Sequence, residues 1–243
     1  EMLTRDWSSD VCSSDLTTDT PTMSQTLEAL EFVTGPEPTA SIIVLHGLGA
    51  DGNDFVPVAQ MLDLGVPVRF IFPHAPQMPV TINNGYVMRA WYDILGTDLA
   101  RREDEVGLRR SQAAIEALIA REVERGIPAE RIVLMGFSQG CAMTLLTGLR
   151  QKQRLAALVG LSGYLPLADR TASERSADNQ HTPIFMAHGQ DDPVVPIERA
   201  LASRDLLQSL GYTVDWHEYP MPHSVCPEEI GDIAAFLRRV LVL

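Results

Sequence analysis

Three residues along the chain, Ser138, Asp192 and His223, have the side chains needed for acyl transfer and occur 54 and 31 positions apart. Ser138 is the centre of Gly136-Phe137-Ser138-Gln139-Gly140, between the apolar run Ile132-Val133-Leu134-Met135 and the helix-like stretch Cys141 to Leu146. Strand, sharp turn and helix together make a Gly-x-Ser-x-Gly run a nucleophile elbow. Without that context the run is only a Gly-rich turn with an N-capping serine. A serine hydroxyl is a weak nucleophile until a base takes its proton, and the base needs an acid to orient it and stabilise its cation.

The acid candidates lie in His188-Gly189-Gln190-Asp191-Asp192-Pro193-Val194-Val195-Pro196. The spacing Gly-x-x-Asp-x-x-Val-Pro resembles the acid turn of many α/β-hydrolases, and that likeness favours Asp192 over Asp191. An aspartate here could also serve only as a turn or capping residue. The base candidate is His223, in a loop stiffened by Pro220 and Pro222 just after the last strand-like run. Of the other histidines, His217 falls inside a strand pattern. His46 and His188 precede glycines at strand ends, where a structural role is expected, and His74 and His181 come from irregular loops. Charge developing on a carbonyl oxygen needs two backbone N–H groups. Gln139, directly after the serine, and Leu48, in His46-Gly47-Leu48-Gly49, are the candidates. The Gly-rich loop lacks the lysine of a P-loop and the full dinucleotide pattern, so nucleotide binding is not expected.

These residues need strand ends to hold them, and the chain supplies strands. Apolar runs at Leu27 to Val33, Ser41 to Leu45, Val68 to Phe72, Arg131 to Met135, Ala156 to Leu161, Ile184 to Ala187 and Thr213 to Tyr219 predict strands. Several are apolar throughout, as in parallel strands buried on both faces. Helices are predicted at Phe55 to Leu62 (after a capping pair, Asn53-Asp54), Glu105 to Arg125, Gln139 to Arg150, Ile197 to Leu210 and Glu228 to Leu241. The alternation predicts an α/β fold: one mostly parallel central sheet with helices on both faces. Pro73 to Tyr92, with three prolines and Asn83-Asn84-Gly85, breaks the rhythm and is expected to be a lid or binding loop. Pro166 to Thr182 is expected to be a polar loop.

Composition narrows the function. The chain has 243 residues, 45% of them hydrophobic, and a net charge of 19 − 32 = −13. Such a surface repels nucleic acid and anionic membranes. No apolar run approaches the roughly 20 residues of a membrane span, so stable membrane insertion is not expected. Cys12, Cys141 and Cys226 are too few and too scattered for a disulfide framework or a zinc site, and no metal is expected. The default is a cytoplasmic protein. Cys141 could have a lowered pKa near a helix N-terminus, or be a small buried helix residue.

The same residues carry a resemblance. His46-Gly47-Leu48-Gly49-Ala50-Asp51-Gly52, Phe72-Pro73-His74-Ala75-Pro76, Ala90-Trp91-Tyr92-Asp93, the Ser138 pentapeptide and the Asp192 and His223 segments resemble the carboxylesterase, lysophospholipase and acyl-protein thioesterase group of α/β-hydrolases. The chain looks most like the bacterial carboxylesterase branch. The resemblance implies an α/β-hydrolase fold with Ser138, Asp192 and His223 as triad and Leu48 and Gln139 as oxyanion donors. It further implies a substrate pocket at Leu48 and Trp91, no cofactor, a small ester as substrate, and often a homodimer. Short- to medium-chain carboxylic esters are the expected substrates, with protein thioesters or lysophospholipids as the alternative. A binding module without catalysis would have no use for the ordered triad. One departure is Cys141 where such proteins often carry a second glycine.

Residues 1–22 are polar, rich in Ser, Thr and Asp, and lack a signal-peptide pattern. The run from Asp6 to Leu16 looks like a translated sequencing adapter, and the expectation is a disordered or artefactual tail before a single domain at 23–243. The tail holds five acids and one base, so −13 becomes −9 without it. A variant starting at Met23 is expected to keep its melting temperature and its ester hydrolysis; a large drop in either would show that the tail belongs to the working protein.

Overall fold

Strands apolar at every position can be stable only with cover on both faces, and the chain provides it. The computed structural model describes residues 27–96 and 103–241; the expected tail at 1–22 lies outside them. Among the described residues there are nine strands: β1 (Ala29–Val33), β2 (Ala40–Leu45), β3 (Val68–Pro73), β4 (Gln77–Val80), β5 (Tyr86–Arg89), β6 (Ile132–Phe137), β7 (Ala157–Leu161), β8 (Ile184–Gly189) and β9 (Val214–Tyr219). Six α-helices connect them: α1 (Val56–Met61), α2 (Glu105–Glu124), α3 (Gln139–Arg150), α4 (Ala168–Glu174), α5 (Ile197–Ser209) and α6 (Pro227–Leu241). Seven strands form one sheet in the order β1-β3-β2-β6-β7-β8-β9. All neighbours are parallel except the edge strand β1, which runs antiparallel to β3. This is the α/β-hydrolase fold.

Alternate residues of each strand enter different cores. Ile43 and Leu45 of β2 pack with α2 and α3 on one face, and Ile42 and Val44 pack with α1 and α6 on the other. The chain steps outward from β2 to β3, returns past β2 to β6, and then continues away to β9. The direction reverses between β2 and β6, so the loops leaving their C-terminal ends diverge and open a crevice.

Helix ends follow local chemistry. Asp104 caps α2 by accepting the Gly107 N–H at 2.9 Å, and Gly126, at φ +95°, ends it. The expected Asn53-Asp54 cap does not form: Phe55 precedes α1 without a capping bond, and Asp51 instead accepts the Asn53 N–H at 2.8 Å. Pro73 to Tyr92 is not irregular throughout, because β4 and β5 pair there as a hairpin. The expected polar loop at Pro166 to Thr182 contains the short helix α4.

Glu229, in the first turn of α6, is wholly buried. Burial pushes its carboxyl up to about 8, and the nearby Cys226 N–H offsets this only in part, without making a good hydrogen bond. The unfolded carboxyl ionises near the ordinary 4.5, so between there and about 8 the unfolded chain sheds a proton that the native state keeps. Stability from this group therefore falls as pH rises through that window. Glu229→Gln should raise Tm at pH 8 by about 5 °C, with little change at pH 4.5. An equal shift at both pH values, or none at pH 8, would contradict this account.

Candidate active site

Ser138 sits between β6 and α3 with φ +55° and ψ −115°, a backbone state that costs on the order of 1–3 kcal/mol for a residue with a side chain. Packing imposes it. A Cβ at Gly140 would lie 2.0 Å from the Leu45 carbonyl oxygen of β2, and one at Gly136 would lie 2.2 Å from the Gly140 oxygen. Only glycines let α3 cross the sheet so closely. The Ser138 N–H donates to Leu161 O of β7 at 2.9 Å, and Ser138 O accepts from Ala142 N, which starts the helix.

The structure brings Asp192, not Asp191, to His223. His223 Nδ1 lies 2.6 Å from Asp192 Oδ2, and the other carboxylate oxygen accepts the N–H groups of Val194 and Val195 at 2.8 and 2.9 Å. Two backbone donors and the ring hold a fully buried carboxylate in one orientation. Asp191 is exposed, and its N–H donates to Met221 O. The acid turn and the histidine loop also press together, for a Cβ at Gly189 would meet Met221 O at 2.3 Å. The His223 ring packs 4.7 Å from the Phe137 ring, beside the elbow.

The remaining histidines have other work. Ala75 N–H donates to His46 Nε2 at 3.0 Å, so that nitrogen is the acceptor. The proton is then on Nδ1, which donates to Gly47 O at 2.7 Å. Desolvation lowers the His46 pKa and keeps this neutral form. His46 thus pins the loop that carries Leu48. His188 Nε2 donates to Val195 O at 2.8 Å and lies 3.4 Å from Asp192 Oδ2; burial lowers its pKa too. It braces the acid turn from beneath. His217 is bound to Asp215 and stacked on Phe185, His74 accepts Gly52 N–H, and His181 is exposed.

Gln139 is the first residue of α3, so its N–H is among those without an intrahelical acceptor. The Leu48 loop abuts the nucleophile, with the Gly47 Cβ position 3.4 Å from Ser138 Cβ. Leu48, Ser138 and Gln139 all border one cleft of about 580 Å³, walled by Ile82, Tyr92, Ile94, Val194 and Val195. An apolar cleft beside Ser138, bordered by Leu48 and by the first residue of α3, suits an acyl group.

Trp91 was expected at the pocket wall, but it is fully buried and does not border the cleft. Its indole N–H donates to His46 O at 2.9 Å, so it supports the Leu48 loop from within the core. Tyr92 is what the segment presents to the cleft. Cys141 is also buried, and burial pushes its thiol up to about 12, the reverse of activation by a helix terminus.

The Gln139 side chain was not legible in advance. Its Oε1 accepts Trp91 N–H at 2.9 Å and its Nε2 donates to Tyr92 O at 2.7 Å. The residue after the nucleophile therefore also fastens the strap that forms the cleft wall. The only sequence signal was a polar residue in a position that the elbow buries.

Fold and site define a serine hydrolase of the α/β-hydrolase class. The chain belongs to the Phospholipase/Carboxylesterase family, whose model matches residues 31–241. It is 43% identical over 226 residues to a Gibberella zeae protein named acyl-protein thioesterase 1, covering 87% of this chain and 95% of that one. It is 46% identical over 217 residues to the Neurospora crassa protein of that name, covering 84% and 87%. Arabidopsis thaliana SOBER1 matches in structure with a TM-score of 0.79 at 31% identity, over 83% of this chain and 99% of that chain. The expected leaning toward a bacterial carboxylesterase branch is corrected by these relatives, which are fungal and carry a thioesterase name.

Gln139→Leu should leave a buried N–H and a buried carbonyl unpaired, costing on the order of 2–6 kcal/mol in chemical denaturation. A variant as stable as the parent would remove the strap-fastening role.

Proposed function

We propose that the chain is a cytoplasmic acyl-protein thioesterase that needs no cofactor and removes acyl groups from protein thiols. The observation that carries this reading is the identity to the fungal proteins of that name over nearly their whole length. The site geometry supplies the chemistry. His223, oriented by Asp192, takes the proton of Ser138 Oγ as it attacks the thioester carbonyl. The negative oxygen is held by the N–H groups of Leu48 and Gln139. The C–S bond breaks, the thiol leaves with the proton from His223, and the acyl group stays on Ser138 with its tail in the apolar cleft. Water activated by His223 then releases the acid. A second reading, hydrolysis of short- to medium-chain carboxylic esters, is supported by the family's description as phospholipases and carboxylesterases. Both use the same residues; a homodimer is compatible with either.

Ser138→Ala should lower kcat by on the order of 10⁴ to 10⁶. A fluorophosphonate should label the parent at Ser138, and His223→Ala should abolish labelling. Near-normal turnover by Ser138→Ala would refute the site. On one peptide carrying the same acyl group as thioester or as oxygen ester, kcat/KM should be higher for the thioester; the reverse order would favour the carboxylesterase reading.

A further inference from the structure

We propose that Arg199, stacked on Tyr164, closes the far end of the acyl cleft and sets the longest acyl chain the enzyme accepts. This rests on reading the cleft beside Ser138 as the acyl site. Tyr164 and Arg199 border the same cleft as Leu48, Ser138, Ile82 and Ile94. The same two residues border a second cavity of about 520 Å³. Its lining includes Leu165, Ala168 and Ala202, with Glu103, Asp169 and Glu198 also bordering it. Among the described residues, Tyr164 and Arg199 are the two that border both cavities.

The partition is held firmly. The Arg199 guanidinium carbon lies 3.7 Å from the centre of the Tyr164 ring, close for a cation–π contact. The Tyr164 hydroxyl is 3.0 Å from the Tyr92 hydroxyl, and both tyrosines are buried. Arg199 itself springs from the first turn of α5, just after Pro196, so its stem starts from a stiff backbone. A hydrocarbon tail growing away from Ser138 meets apolar walls first and a guanidinium last. To go further it must displace the ion from the ring or lie against it in place of water, and both are unfavourable. Removing the arginine side chain joins the cavities.

The test is the acyl-length profile of hydrolysis, from butanoyl to palmitoyl thioesters, for the parent and Arg199→Ala. The ratio of palmitoyl to butanoyl kcat/KM should rise at least tenfold in the variant, mostly through a lower palmitoyl KM, since each further buried methylene favours binding about fourfold. A ratio within threefold of the parent's would overturn the proposal. Should Arg199→Ala fail to fold, Arg199→Gln, which keeps much of the stem without the charge, is read by the same criterion. If the parent hydrolyses no member of the series, the functional reading fails while the partition can still be judged. Titration calorimetry with octanoate and palmitate then compares parent and variant. A selective gain in palmitate affinity supports the partition, and an unchanged palmitate-to-octanoate ratio overturns it.

Discussion

The site depends on one close approach: α3 crosses the ends of β2 and β6 with no room for a Cβ at Gly136 or Gly140. That contact forces Ser138 into a backbone state serine would not choose, and it places the first N–H of α3 beside the loop leaving β2. The cost is local, and its repayment is distributed. All twelve residues of α3 are buried, in contact with β6, β7 and α2. A helix so enclosed cannot relax to relieve one strained residue, so the strain persists as geometry.

Around this fixed point the other parts are located by polar groups with no freedom left. His46 is held in one tautomer by an N–H on one side and a carbonyl on the other. Asp192 is held by two amides and His223, with His188 below it. Gln139 fastens the Trp91–Tyr92 strap, and Trp91 in turn bonds the carbonyl of His46. Gln139, the Trp91–Tyr92 strap and the loop after β2 thus form one continuous buried network. Low local dielectric strengthens such a network when every member is satisfied.

Much of this was legible in the sequence for a physical reason. Strands buried on both faces leave unbroken apolar runs, and the end of α2 leaves a glycine, Gly126. The Gly-x-Ser-x-Gly run, the acid-turn spacing and the chain order pointed to Ser138, Asp192 and His223, and the structure pairs the last two. What escaped were features decided by tertiary contact. The β4–β5 hairpin was masked by Pro76 and Pro79, although Asn83-Asn84-Gly85 is a turn signal and Asn84 and Gly85 do take positive φ. Helix α4 is short and polar and leaves no periodicity. Trp91 was placed at the pocket by the family resemblance; the bonds to His46 O and Gln139 Oε1 turn it into the core instead. The pairing of Arg199 with Tyr164 joins residues 35 positions apart and leaves no local trace.

The spread of the site along the chain has a consequence for synthesis. The elbow needs β2, β6, β7 and α3 together, since the Ser138 N–H bonds Leu161 O, whereas His223 lies on the loop after β9, an edge of the sheet. On the proposed mechanism, a chain in which β9 has not docked on β8 holds a strained serine with no histidine to take its proton. Reactivity on that mechanism waits for the edge strand, and a chain folded only as far as β8 is chemically silent.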